Sequence, residues 1–175
     1  SAPDVFNIIG DPSTPNDITG GTSYGLSING QYGFTINNCI IQNVTSTSGT
    51  GSATGIIVAG SYGNNEIYNN TIRNIRRAAN SASSSYYAAG MTFTYSNQVM
   101  TFNIFNNSIS GLTSGYTGAA SANRILKGIY FADVGAGTVT AQIWGNSISI
   151  DGSSCPNVSS TCIDLADGDD KTFVF

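Results

Sequence analysis

Apolar and polar residues alternate along this chain in short bursts. In VMTFNIF (99–105), Met100, Phe102 and Ile104 fall on one side, and Thr101, Asn103 and Phe105 on the other. In VTAQIW (139–144), Val139, Ala141 and Ile143 take the inward positions. A period of two over a few residues predicts half-buried β-strands. Helical spacing is weak throughout, and RNIRRAANSA (73–82) is the stretch that reads as a short helix.

The strands recur in a fixed order. One signal is a glycine followed by an alternating apolar strand: GLSI at 25–28, GIIV at 55–58, GMTF at 90–93 and GIYF at 128–131, with CIDL at 162–165 as a fifth carrying Cys for Gly. Their starts lie 30, 35, 38 and 34 residues apart. The other signal is an asparagine hexamer: TINNCI (35–40), IYNNTI (67–72), IFNNSI (104–109) and IWGNSI (143–148). Loops of Ser, Thr, Gly and Ala, such as TSTSGTGSAT (45–54) and NSASSSYYAA (80–89), absorb the uneven period. A few short strands cannot bury an apolar face alone, whereas stacked repeats can, each strand pairing with its equivalent about 4.8 Å along. The expected fold is therefore all-β, a parallel β-helix of about four to five coils with long variable loops. Residues 22–175 form it, and residues 1–21 are a partial coil or a cap. Four leucines are too few for a leucine-rich repeat, and the four strands of a propeller blade are not found.

Asparagine inside an apolar run needs a reason. It tolerates the left-handed conformation that a sharp corner requires, and its amide both donates and accepts. Asn38, Asn70, Asn107 and Asn146 are accordingly read as corner residues stacked into a hydrogen-bonded ladder. In the first hexamer Thr35 stands where the others have Ile, which leaves its register open to a shift of one. The second hexamer position gives Tyr68, Phe105 and Trp144, with Ile36 less securely aligned. Stacked one per coil, they form an outward aromatic stripe, which suits sugar-ring stacking or packing against a neighbouring protein unless the long loops cover it.

Composition narrows the function. Charged residues are 9% of 175, against roughly 25% in an average soluble protein. Surface polarity then comes from Ser, Thr, Asn and Gly, as in extracellular β proteins. A net charge of −4 with no dominant basic patch argues against nucleic acid. No apolar run approaches the ~18 residues of a membrane span. There is no His, which removes Ser-His-Asp catalysis and His-based metal sites. Acids are few: Asp133 with Asp164 or Asp167 is the best pair for carboxylate chemistry. Asp164, Asp167 and Asp169 of DLADGDD are weak candidates for a metal, without EF-hand spacing, and an acidic turn is the plainer reading. Arg73, Arg76 and Arg77 suit an acidic glycan or, more plainly, a solvated loop near Glu66. Cys155 and Cys162 enclose a polar loop that a disulfide can close, the alternative being two separate thiols. Cys39, where the other hexamers have Thr71, Ser108 and Ser147, reads as a small packing residue.

The motif apolar-x-Asn-Asn-Thr/Ser-Ile, then a polar loop and Gly-apolar-x-apolar, resembles the right-handed parallel β-helix repeat of the pectate-lyase-like superfamily. IYNNTI, GIYF and SISIDGSSCPNVSSTC are similar to repeats of large secreted cell-surface proteins of Bacteroidetes-type bacteria. The resemblance covers about residues 22–175 and implies an extracellular setting. It brings no active site. Pectin hydrolases of this fold use aspartates near a Gly-His-Gly. Pectate lyases need calcium-binding acids on the first sheet, where the outward positions here are Ser27, Ile57, Thr92, Tyr130 and Asp164. No catalytic residue and no cofactor is assigned. The leading expectation is a non-enzymatic structural or adhesive segment, with a carbohydrate-binding or polysaccharide-degrading β-helix as the alternative. Partners are a cell-surface glycan or neighbouring surface protein, and the uncapped KTFVF (171–175) implies the rest of a longer polypeptide.

Overall fold

The computed structural model describes residues 5–11, 13–48, 51–81, 83, 85–94, 99–119, 124–132, 137–151, 155, 157–165 and 171–175. The described elements are all strands, in three parallel sheets. The first sheet takes β1 (Val5–Ile9), β4 (Tyr32–Asn37), β7 (Tyr62–Tyr68), β10 (Met100–Phe105), β13 (Val139–Trp144) and β16 (Lys171–Val174). The second takes β2 (Asn16–Thr19), β5 (Cys39–Ser46), β8 (Thr71–Arg77), β11 (Ser108–Ser114) and β14 (Ser147–Ile148). The third takes β3 (Tyr24–Asn29), β6 (Ala53–Ala59), β9 (Ala88–Thr94), β12 (Arg124–Phe131) and β15 (Ser159–Leu165). The chain visits the sheets in rotation, so each strand bonds to the one three elements away. The rest of each round supplies the long connection that parallel pairing demands. This is a β-helix-like solenoid.

Like residues stack from round to round. Ile36, Ile67, Ile104 and Ile143 are register partners in the first sheet, as are Ile18, Ile41, Ile72, Ile109 and Ile148 in the second. In the third, Val58, Phe93 and Phe131 align, and the last two rings stack at 4.4 Å. The columns from all three sheets meet in one core. The glycine inside four of the third-sheet strands, β3, β6, β9 and β12, is set by a close approach. A Cβ on Gly55 would lie 2.4 Å from Ile72 Cγ2 and 2.7 Å from the Gly90 carbonyl oxygen. One on Gly90 would lie 2.5 Å from Ile109 Cγ2 and 2.7 Å from the Gly128 carbonyl oxygen.

Two local expectations are corrected. The stretch read as a short helix is strand through Arg77, because Ile72 and Ile75 belong to second-sheet core columns. The corner also uses its asparagines differently. The left-handed residues are Asn38, Asn69 and Asn106 (φ 49°, 56° and 55°), with Gly145 (φ 63°) in the IWGNSI corner. The ladder is built by the next residue: Asn70 Nδ2 donates to Asn107 Oδ1, and Asn107 Nδ2 to Asn146 Oδ1, each at 2.9 Å. Asn38 is therefore not a rung. Ile40 pairs with Thr71, so Cys39 stands opposite Asn70 and occupies the rung position itself. A shift of one residue in the first hexamer is the cause.

Candidate functional site

Strand alternation turns Tyr68, Phe105 and Trp144 outward at the ends of β7, β10 and β13, where they are register partners. Tyr68 and Phe105 stack at 4.8 Å and 5°, and Phe105 and Trp144 at 4.6 Å and 6°. The strand spacing of a sheet, about 4.8 Å, is also a comfortable ring-stacking distance, so the solenoid itself sets this geometry. Tyr68 and Phe105 are partly buried by their neighbours, and Trp144 remains 44% exposed. Ile36 lies outside the stripe, since it pairs with Ile67 and is fully buried. Asn37 takes the place below Tyr68 and donates from Nδ2 to the phenolic oxygen at 3.3 Å.

Two residues back along each strand, Thr35, Glu66, Asn103 and Gln142 form a second outward rank. An aromatic rank therefore runs beside a rank of hydroxyl, carboxylate and amide groups. A shallow hollow of about 260 Å³ opens on the same face, lined by Ile8, Phe34, Thr35, Asn64 and Glu66. It holds one carboxylate, and acid–base hydrolysis of a glycosidic bond ordinarily takes two.

A second cluster lies on the third sheet. Lys127 Nζ is 3.0 Å from Asp164 Oδ2, with both side chains almost fully buried. The ammonium also sits 3.3 Å from the Tyr130 ring centroid and 4.8 Å from that of Tyr87. These cation–π contacts compensate for lost water. Burial pushes the Tyr87 phenol up to about 12, against the hydrogen bonds to Thr92 and Ser52. Asp164 is thus held by a lysine. Asp133, Asp167 and Asp169 lie outside the described residues. Among the described residues, no group of three His, Cys, Asp or Glu is placed to hold a metal ion. Lys127 was missed at the sequence level, its signal being a lone cation inside the strand RILKGIYF.

The remaining candidates separate. No disulfide joins Cys155 and Cys162: the first is buried and the second exposed. Cys155 Sγ accepts the Ser114 N–H at 3.1 Å, while Cys162 takes the glycine rank of the third sheet. The seven-residue spacing runs from a cysteine outside the strands, bonded to the end of β11, to one inside β15. Arg73 Nε donates to Gln42 Oε1 at 2.8 Å. Arg76 lines an open groove with Asn43, Thr45, Asn74 and Thr113. Arg77 faces inward and is fully buried.

The fold and these ranks define a parallel β-solenoid with an asparagine ladder inside one corner and an aromatic ladder outside it. Comparison with protein-family models, with curated proteins and with solved structures finds no match. No helix among the described residues is long and apolar enough to cross a membrane.

Proposed function

We propose that this chain is a right-handed parallel β-helix of the pectate-lyase-like kind, with about four to five coils. In this reading it serves as a non-enzymatic structural or adhesive segment of a bacterial protein secreted to the cell surface. The observation that carries the reading is the continuity of the side-chain columns. The Asn70–Asn107–Asn146 ladder and the Tyr68–Phe105–Trp144 stack tie successive rounds together beyond the backbone bonds. A body built this way resists stretching and presents a regular face. The low charge, 9%, supports an extracellular setting.

Single-molecule pulling between handle domains tests it. Repeats of 30–38 residues should lengthen the tether in steps of roughly 11–14 nm each. Rupture at trivial force, or release of oligosaccharides from a polysaccharide panel, would sink the proposal.

A second reading is glycan binding on the same face, favoured by the exposed Trp144 beside Gln142 and Asn103. Trp144 is the sole tryptophan, so its fluorescence reports ligand directly. A glycan array on which the wild type and Trp144→Ala behave alike would end this reading.

A further inference from the structure

One inward column of the second sheet is polar. Its register partners are Ser46, Arg77 and Ser114, at the far ends of β5, β8 and β11. Arg77 is fully buried, and its Nε, Nη1 and Nη2 find no hydrogen-bond partner among the described residues. Ser46, its neighbour in register, is also fully buried, and its Oγ is equally without a partner there. Two adjacent orphans, one of them a permanent cation, demand an explanation. Burying a charge without a partner is strongly unfavourable, and interior polar groups are almost always satisfied.

The surroundings say what would satisfy them. Among the described residues no carboxylate pairs with the guanidinium. Burial pushes it below its ordinary value, opposed by the phenol of Tyr86. Tyr86 lies on one side, its ring centroid 6.0 Å from Arg77 Cζ. The backbone at Gly51 comes close to the serine: a Cβ there would stand 2.5 Å from Ser46 Oγ. Arg77 offers only N–H donors, and Ser46 can donate its hydroxyl proton. Buried donors around one positive charge call for an anion. Water would satisfy the donors and leave the charge unanswered. Full burial leaves no approach for a side-chain carboxylate of another protein or for a sugar acid.

We propose that Arg77 and Ser46 form an internal site for a small monovalent anion of halide size, which neutralises the guanidinium and fixes the end of β8 beneath Tyr86. The site is separate from the outward aromatic face and does not depend on how that face is used. Arg76 and Arg73, one and four residues earlier, point outward and take no part.

Thermal unfolding at constant ionic strength tests this, with sodium chloride or bromide exchanged for sodium gluconate, whose anion is too large to enter. Saturating linkage makes each tenfold rise in halide above its dissociation constant raise the wild-type Tm by about 3–6 °C. Arg77→Met, which keeps the packing and removes the charge, should show no halide dependence and should melt above the wild type in gluconate. Ser46→Ala keeps the guanidinium and should need several-fold more halide for the same Tm. It serves where Arg77→Met fails to fold. Crystals grown in bromide should show an anomalous peak within hydrogen-bonding distance of the guanidinium. A wild-type Tm indifferent to the exchange, an equal slope in Arg77→Met, or a bromide map empty beside Arg77 would overturn the proposal in favour of ordered water.

Discussion

Neighbouring asparagines of identical chemistry should respond in opposite ways to substitution. Asn107 Nδ2 donates to the Ile67 carbonyl and to Asn146 Oδ1, both at 2.9 Å. Its Oδ1 accepts the Asn70 backbone N–H at 3.1 Å and Asn70 Nδ2 at 2.9 Å. Asn107→Ala deletes all four bonds in a buried corner, where each is worth about 1 kcal/mol net and orphaned partners cost more. The expected loss is therefore about 4 kcal/mol, and Asn107→Gly should do no better. Asn106, one residue earlier, has φ 55° and an exposed side chain. Its role is conformational, so Asn106→Gly should be nearly neutral and Asn106→Ala should cost about 1 kcal/mol. Equilibrium unfolding in urea, followed by circular dichroism with a common slope, measures all four variants. If Asn106→Ala proves as costly as Asn107→Ala, or if Asn107→Ala costs under about 1.5 kcal/mol, the division between turning residue and rung is wrong.

Cys39 already imitates a rung: its backbone N–H donates to Asn70 Oδ1 at 2.9 Å, and its thiol, 3.2 Å from the Asn37 carbonyl oxygen, reaches the Ile9 carbonyl only weakly at 3.7 Å. Cys39→Asn would replace that weak contact with an amide bond, like the one Asn70 makes to Ile36, and should raise stability by about 1 kcal/mol in the same denaturant assay. Phe105→Ala removes the ring between Tyr68 and Trp144; the cost should be about 2–3 kcal/mol for a partly buried aromatic, with a red shift of Trp144 emission. Tyr87 makes stability fall at high pH. Below pH 10 both states keep the phenolic proton; between 10 and about 12 the unfolded chain has released it and the folded chain has not. Each pH unit in that window then weakens the fold by about 1.4 kcal/mol. Denaturation midpoints of wild type and Tyr87→Phe should diverge only there, and parallel curves would refute the assignment.

The rotation of strands through three sheets was legible because the same residue types return at the same step: glycine within the third-sheet strand, isoleucine around the corner. Asn70, Asn107 and Asn146 are rungs as read, but the turning residue and the first rung were each placed one residue out, and the sequence held the correction. IWGNSI keeps the second Asn and puts Gly in place of the first. That pattern says the first position needs a left-handed backbone and the second needs the amide. In INNCII (36–41), Ile41 joins the core column, so the frame slides by one and Cys39 becomes the rung. Sequence spacing failed for Cys155 and Cys162 because a short spacing brings two residues near each other and leaves free where each side chain goes: Cys155 turns inward against Ser114 and Cys162 outward from β15.

Arg77 was hidden for a different reason. Binary patterning assumes that inward means apolar, and in IRRAA a basic residue reads as solvated. Asn74 takes φ 57° inside β8 and breaks the alternation there. The strand resumes with Ile75 inward, Arg76 outward and Arg77 inward again. Left-handed residues within strands therefore erase the parity on which a sequence-level reading depends, and they do so without weakening the sheet, since Ile75 still pairs with Val44 and Leu112. The same device that lets Asn74 donate to Asn43 Oδ1 at 3.1 Å on the surface is what turns a guanidinium into the core. Other inward polar residues of a β-solenoid should likewise be sought two or three residues beyond an in-strand Asn or Gly of positive φ, where alternation counted from the strand's start points the wrong way.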